Sequence, residues 1–441
     1  MGKEAFLIDF FKSLKTHGVD YYVFGEYSNL PKDTNGSDVD IYVGDIDLRE
    51  IDKIITCVTR SHQVVIGSYW DASISHHYRL LTESWGVQID VLSKGFKYRG
   101  ADYYPSELLK AHVIEYNGIN VLEYKYGCVL GFYKDVVFNG KSKDKYIRGI
   151  INVINSNPSY YKDEIIKLYG LKVQQIIFNN LTIENLSASC SLLQHLMQRR
   201  LKKGNYLLYT IEQFRRFKRL FYKRPGYVLA VEGTDGAGKS TVINKITPIL
   251  NEGFHNSIIY MHLRPHVLPD LGVLFRKRKA SNANTICETP HAGKESCYVV
   301  SVCRWLYYFI DYTFGYLKCV WLKIHIRSYI FIFDRYYYDY YIDPKRLRVK
   351  LPKWVIKIGD FFVPSPDLIL CLGGNPDEIY KRKPETSIGE VRRQNERLKI
   401  FSGKKRNAIW IDTTCGESKA INAAMNAILH TMKKRFNNIQ N

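Results

Sequence analysis

The sequence predicts an α/β protein whose C-terminal half is a doubly wound parallel sheet, preceded by a helical middle region and an α+β N-terminal third. Three observations carry this. In residues 225–441, short apolar runs of strand length alternate with helical stretches, the order that builds a parallel sheet. In residues 105–224, helical patterns alternate with polar breaks such as Asn155-Ser156-Asn157-Pro158. In residues 1–104, one amphipathic helix precedes runs with strand character. At 441 residues the chain is too long for one ordinary domain, and these three ranges are the expected domains.

Composition narrows the class. Hydrophobic residues make up 46% of the chain, enough for real cores, and the net charge is +21. Such an excess suits polyanionic partners: nucleotides, nucleic acid or an anionic membrane surface. Nine cysteines without a C-x-x-C pair or metal-ligand spacing predict reduced thiols and a cytoplasmic location. The Met-Gly-Lys-Glu-Ala-Phe start lacks the apolar core of a signal peptide. The most hydrophobic region, 298–333, is broken by Arg304, Asp311, Lys318, Lys323 and Arg327, so no run of about 18–20 apolar residues spans a bilayer.

In chain order, Phe6, Leu7, Phe10, Phe11 and Leu14 recur at helical spacing over 4–17. Tyr21 to Phe24 reads as a strand ending at Gly25, and Ser37 to Val43 as another. Asp38 and Asp40, at i and i+2, point to one face of the latter. Two like charges there cost free energy unless they are paired, and a divalent cation resolves the cost. Asp90, in the strand Val87 to Leu92, offers a third carboxylate. Three such aspartates on adjacent strands can hold two Mg²⁺ for attack on an α-phosphate. The plainer reading is a pair of surface aspartates that end a strand.

In the middle region Ile211, Phe214, Phe217, Leu220 and Phe221 share one helix face with Arg215, Arg216, Lys218, Arg219, Lys223 and Arg224 around it. A basic amphipathic helix can lie on an anionic membrane or touch nucleic acid; more commonly it packs its apolar face inward. Arg224-Pro225-Gly226 is a turn that marks a domain boundary, with a separate core expected beyond it.

The strongest local signal follows. Tyr227 to Val231 reads as a buried strand, and Gly233 to Ser240 matches G-x-x-x-x-G-K-[ST]. Glycines at those places let successive N–H groups point into one concavity that binds polyphosphate at a helix N terminus. Gly233, Thr234, Asp235, Gly236, Ala237, Gly238, Lys239, Ser240 and Thr241 therefore form the expected nucleotide-binding loop. Lys239 is expected to reach the β- and γ-phosphates, and the Ser240 hydroxyl to ligate Mg²⁺. The implied cofactors are ATP and Mg²⁺. Helical periodicity follows in Val242, Ile243, Ile246 and Ile249.

Further strands are expected at Ser257–Leu263, Tyr329–Phe333, Leu368–Leu372 and Ala408–Ile411, with ligands at their carboxyl ends. Asp334 then stands where a Mg²⁺-holding carboxylate belongs, and Arg335 beside it can fork a phosphate. Arg264 follows the second strand. Arg304 and Asp311, seven residues apart, are expected on one helix face among aromatic residues, as acceptor anchors or as an ion pair. Thr289-Pro290-His291 sits on the same acceptor side.

The run Glu232-Gly233-Thr234-Asp235-Gly236-Ala237-Gly238-Lys239-Ser240-Thr241, with Arg264-Pro265 and Asp334-Arg335-Tyr336, resembles the thymidylate kinase family. The resemblance implies phosphoryl transfer, with catalytic roles for Lys239, Asp334, Arg335 and Arg264. It also implies a lid over 381–397 in which Arg382 and Lys383 are the foremost cations, with Arg392 and Arg393 behind them. The family's Arg-Glu-Pro is Arg264-Pro265 here, so dTMP is expected to be a poor acceptor. Gly25-Glu26, Asp38-Val39-Asp40 and the remote Asp90 resemble the nucleotidyltransferase superfamily, with glutamate at a place where that family usually has serine or glycine. Together these imply a kinase acting on a nucleotide-like or sugar-phosphate small molecule, fused to a nucleotidyltransferase-like domain, with homodimerisation left open. Two alternatives stay open: nucleotidyl transfer as the main activity with a regulatory kinase-like half, or a nucleotide-gated protein that binds nucleic acid or a membrane surface.

Overall fold

The computed structural model describes residues 2–201, 206–221, 224–269, 271 and 297–436. Thr289-Pro290-His291 and Lys223 lie outside the described residues. The N-terminal sheet contains β1 (Tyr22–Val23), β2 (Val39–Tyr42), β3 (Val65–Ala72), β4 (Ser75–Leu81) and β5 (Gly86–Leu92). A small hairpin of β6 (Phe96–Tyr98) and β7 (Ala101–Tyr104) follows, then β8 (Val113–Tyr116) and β9 (Ile119–Leu122). The main sheet runs β3-β4-β5-β2-β1-β9-β8. The helical pattern expected from residue 105 is thus interrupted at its start, because β9 pairs in parallel with β1. Short strands such as these carry too few residues for a period-2 pattern to stand out.

Alternation along the strands sends two sets of side chains to two cores. Val23, Val39, Ile41 and Ile89 pack under helices Lys3–Thr16 and Leu48–Ser61. Tyr22, Phe24 and Tyr42 pack on the other face, against the helices that run from Tyr124 to Leu201. Asp40 shares that second face with Tyr42, and it is the helical side that covers the carboxylates.

The C-terminal sheet consists of β10 (Tyr227–Gly233), β11 (Ile258–His262), β12 (Ile330–Asp334), β13 (Leu368–Gly373) and β14 (Ala408–Asp412), in the order β11-β12-β10-β13-β14. All its pairings are parallel. Every residue of β10 is buried, as expected of a central strand covered on both faces. Helices Lys239–Gly253 and Glu417–Phe436 cover one face. Helices Tyr298–Ile310, Lys353–Phe362 and Ile388–Lys404 cover the other. The first of these runs on through π-helical turns at Asp311–Gly315 and Leu317–Trp321 to the short helix Leu322–Ile326.

The core beyond Pro225 is not separate. Leu81, at the end of β4, is buried among Leu229, Val242, Ile246, Leu250 and Met425 of the C-terminal half. Gly86 and Gly253 meet backbone to backbone: a Cβ on Gly86 would lie 2.6 Å from the Gly253 nitrogen. Glu252 accepts the Gly86 N–H at 3.0 Å and pairs with Lys3 at 2.9 Å. Ser68 of β3 donates to the Pro225 carbonyl at 2.7 Å. A turn signal marks where the chain changes direction, and long-range packing across it is invisible in the local sequence.

Candidate functional site

The loop after β10 and the ends of the neighbouring strands enclose a cavity of about 490 Å³. Asp235, Gly236, Gly238, Lys239, Ser240, Thr241, Asp334, Arg335, Arg382 and Lys383 line it, together with Arg346 and His262. Gly233, Thr234 and Ala237 stand behind that lining. Gly236 has φ +85°, and a Cβ there would meet the Ile379 carbonyl at 2.6 Å. Only glycine lets the loop turn so close to helix Pro376–Arg382, which carries Arg382. Helix Lys239–Gly253 starts at the cavity wall, so its first amides, without intrahelical partners, face an incoming anion.

Lys239 donates to the Gly233 and Thr234 carbonyls, each at 3.0 Å, and lies 3.8 Å from Asp235. Burial and the nearby Arg335 bring its ammonium down to about 8, although Asp235 and Asp334 pull the other way. At neutral pH it is still cationic. Asp334 ends β12 opposite Val231. Its Oδ2 accepts from the Tyr260 hydroxyl at 2.9 Å, while its buried Oδ1 has no hydrogen-bond partner. Burial would raise this carboxyl, but His262, Lys239 and Arg335 outweigh it and hold it near 2. An ionised carboxylate with an open buried oxygen, in the same cavity wall as the Ser240 hydroxyl, is a donor set that suits a hard divalent cation.

Arg335 is 1% exposed and sits at φ +69°. Its guanidinium is held by Asp339 at 3.2 Å and by Asp235 at 2.7 Å. Arg346, which the sequence did not single out, reaches Asp235 at 2.9 Å from the other side. Two arginines thus converge on one loop carboxylate at the cavity edge. Beneath them Glu232 is fully buried and accepts the Tyr336 N–H at 2.8 Å. Burial, followed by the neighbouring Asp339, pushes its carboxyl well above the usual range.

Arg382 donates to the Thr413 carbonyl at 3.1 Å, and Lys383 pairs with Glu385 at 2.8 Å. Arg392 and Arg393 bind Asp377 and Glu390 and do not line the cavity. Arg264 does not line it either. It is buried against Asp311, donates to the Leu268 carbonyl at 2.9 Å and lies 4.7 Å above the Tyr308 ring. Arg304 and Asp311 do not pair with each other: two helical turns separate them by about 10 Å. Arg304 instead donates to the Leu347 carbonyl at 3.3 Å.

A second constellation lies in the N-terminal sheet. β2 and β5 are parallel, and their register sets Asp40 beside Asp90. Carboxylate oxygens of Asp38, Asp40 and Asp90 all come within 4.8 Å of one another. Asp90 is held by Arg79 at 2.8 Å and by His77 at 3.0 Å, and accepts from Gln88 at 3.1 Å. Although burial raises its carboxyl, His77 and Arg79 bring it below the ordinary value. Asp40 goes the other way: burial raises it, Lys134 lowers it, and Asp38 and Asp90 raise it further. Lys134 comes from helix Tyr124–Asn139, a contribution no local motif announced. Glu26 lies 3.9 Å from Lys145, which offsets its charge. The donor set is all oxygen and suits Mg²⁺, with part of its charge already balanced by protein cations.

Neither a protein-family model nor a curated protein matches the chain. Solved structures do. Thymidylate kinase from Candida albicans is 19% identical, with 48% of this chain aligned to 94% of that one at a TM-score of 0.33. Thymidylate kinase from Ehrlichia chaffeensis is 15% identical, with 47% of this chain aligned to all of that one (100%) at a TM-score of 0.30. Over about half its length the chain is similar to thymidylate kinases. Among the described residues, no helix is long and apolar enough to cross a membrane.

Proposed function

We propose that the protein transfers the γ-phosphoryl group of ATP to a phosphorylated small molecule, a nucleotide or a sugar phosphate. The observation that carries this reading is the lining of the cavity: a phosphate loop, a lysine, a carboxylate with an open oxygen, and cations from two further elements. Lys239 and the loop amides bind donor phosphates. Arg382 and Lys383 stand opposite and offset negative charge on the phosphoryl group in transit. Ser240 and Asp334 hold Mg²⁺, which when bound neutralises phosphate charge and orients the donor. Arg335 and Arg346, gathered on Asp235, offer a fork for the acceptor phosphate. Arg264, tied to Asp311, acts from behind by fixing the acceptor-side helix.

The carboxylate cluster supports a second reading, nucleotidyl transfer by the N-terminal half through Asp38, Asp40 and Asp90. Acceptor screening with ATP labelled at the γ- or the α-phosphate separates the two. Transfer of γ label to a phosphorylated acceptor is expected. Transfer of α label alone overturns the first reading, and transfer of neither label to any nucleotide or sugar phosphate overturns both.

A further inference from the structure

Helix Tyr206–Arg219 is docked inside out. Its polar side faces the protein: Glu212 accepts from the Ser73 N–H and hydroxyl, each at 3.1 Å, Arg215 lies 3.7 Å from Asp71, and the Tyr209 ring receives Arg99 at 5.2 Å. Its apolar side faces outward. Phe214, Phe217 and Phe221 are 68%, 58% and 70% exposed, and Ile211 is exposed beside them. Ile211, Phe214 and Phe217 fall on one helix face, and Phe221, in the turn that follows, meets Phe217 edge-on at 5.2 Å between ring centroids. An amphipathic helix in water ordinarily does the reverse. The helix packs beside Leu322–Ile326, where Leu317 and Leu322 are also exposed. Among the described residues, Arg216, Lys318 and Lys323 are exposed around these side chains, and Arg215 is exposed beside Asp71. Acidic residues are scarce: Glu212 is the only one in 206–221 and Asp311 the only one in 298–327. Glu212 is turned to Ser73, and Asp311 is buried.

We infer that this face lies on an anionic lipid surface, with the phenylalanines in the acyl boundary and the arginines and lysines among the headgroups. Three occupants compete, and charge and shape choose between them. A second copy of the chain, paired face to face, would bring arginine against arginine, and like charges across an interface oppose association. Nucleic acid would engage the cations but leave Ile211 and the packed phenylalanine pair without an apolar partner. A lipid surface takes both, because basic residues flanking an exposed aromatic face are what interfacial helices present to anionic membranes. No spanning segment is required, which agrees with the absence of a long apolar helix among the described residues.

The test uses the full chain and sedimentation with vesicles. Vesicles of mixed phosphatidylglycerol and phosphatidylcholine should pellet the protein, and vesicles of phosphatidylcholine alone should pellet it at least about tenfold less well. The double variant Phe214→Glu/Phe217→Glu should lose at least about tenfold in vesicle affinity. Both side chains are exposed, so its melting temperature should match the parent's. Binding should survive in part in about 0.5 M salt, where purely ionic attraction is screened. Failure to pellet with the anionic vesicles overturns the proposal. So does pelleting that the double variant leaves unchanged, or that vanishes entirely in high salt, as it would for a merely basic protein. A concentration-dependent dimer that the double variant abolishes would assign the face to a second copy. Salt-sensitive duplex DNA binding lost in the same variant would assign it to nucleic acid.

Discussion

Replacing Leu81 with alanine should destabilise both halves of the molecule. Leu81 is fully buried at the end of a strand in the N-terminal sheet, yet the apolar cluster it joins is otherwise made of side chains from the C-terminal half, with Val65 packed at its edge. The substitution removes three carbons, about 2 kcal/mol of transfer free energy at ~0.8 kcal/mol per methylene. A cavity adds to that, and measured Leu→Ala costs run about 2–5 kcal/mol. The upper part of the range applies here. Leu81 Cδ2 lies 2.9 Å and 2.7 Å from the places where Cβ atoms of Gly86 and Gly253 would be, and glycines have no side chain to move into the gap. About 4 kcal/mol is a large share of a fold worth about 5–15 kcal/mol. It corresponds to a rise of roughly 10³-fold in the open population. Hydrogen–deuterium exchange read by mass spectrometry on peptides covering Gly86–Leu92 and Tyr227–Gly233 measures this directly. The slowest amides of both strands should accelerate together. If the Tyr227–Gly233 amides keep their parent rates while those of Gly86–Leu92 accelerate, the halves do not share a core and the reasoning fails.

Lys239→Ala should lower γ-phosphoryl transfer at least about 10²-fold, with the circular dichroism spectrum retained; activity within a few-fold of the parent would remove the loop from the donor site. Arg335→Ala should cost about 3–5 kcal/mol in urea unfolding, because it leaves Asp339 buried and uncompensated; a loss under about 1 kcal/mol would mean that Asp339 finds another partner. Asp40→Asn should abolish any α-phosphate transfer and leave γ-phosphate transfer unchanged, and equal loss of both would place the two chemistries in one site. Glu390 gives a pH dependence. Burial would raise its carboxyl, yet Lys345 and Arg393 hold it below 4.5. A depressed folded-state value adds stability that is present above pH 4.5 and lost as pH falls through the folded value. Glu390→Gln should therefore flatten the acid limb of a melting-temperature profile, and an unchanged limb would exclude Glu390 as a contributor.

Much of the C-terminal sheet was legible because each strand is covered on both faces and reads as an unbroken apolar run. The phosphate loop was legible because its chemistry is local: glycines, a lysine and a hydroxyl within ten residues. Asp90 was visible as a third carboxylate on a strand, but the parallel register that sets it beside Asp40 was not. Nor was Arg346, since it stands in a turn eleven residues beyond Arg335 and no periodic pattern marks it. The partner of Arg264 was hidden too, because Asp311 reaches it from a stretch dozens of residues away in the chain. Lys134 was hidden for the same reason. A lysine in a helix reads as solvated until the fold brings the sheet beneath it. The outward face of helix Tyr206–Arg219 also runs against expectation. Its pattern predicts an amphipathic helix correctly but says nothing about which side faces the protein, and here Ser73, Asp71 and Arg99 claim the polar one.

The contact of Gly86 with Gly253 has a mechanical meaning. Helix Lys239–Gly253 is 15 residues long, a rod of about 22 Å. One end forms a wall of the cavity lined by Lys239 and Asp334, and the other rests on the first residue of the strand that carries Asp90. With no side chain at either glycine, an axial shift of the helix would press directly on the strand backbone, less whatever the interior Pro248 absorbs. Coupling free energies are reciprocal. If nucleotide in the cavity changes the affinity of the three aspartates for a divalent ion by some factor, the ion must change nucleotide affinity by the same factor. Titrating each ligand in the presence of the other measures that coupling free energy.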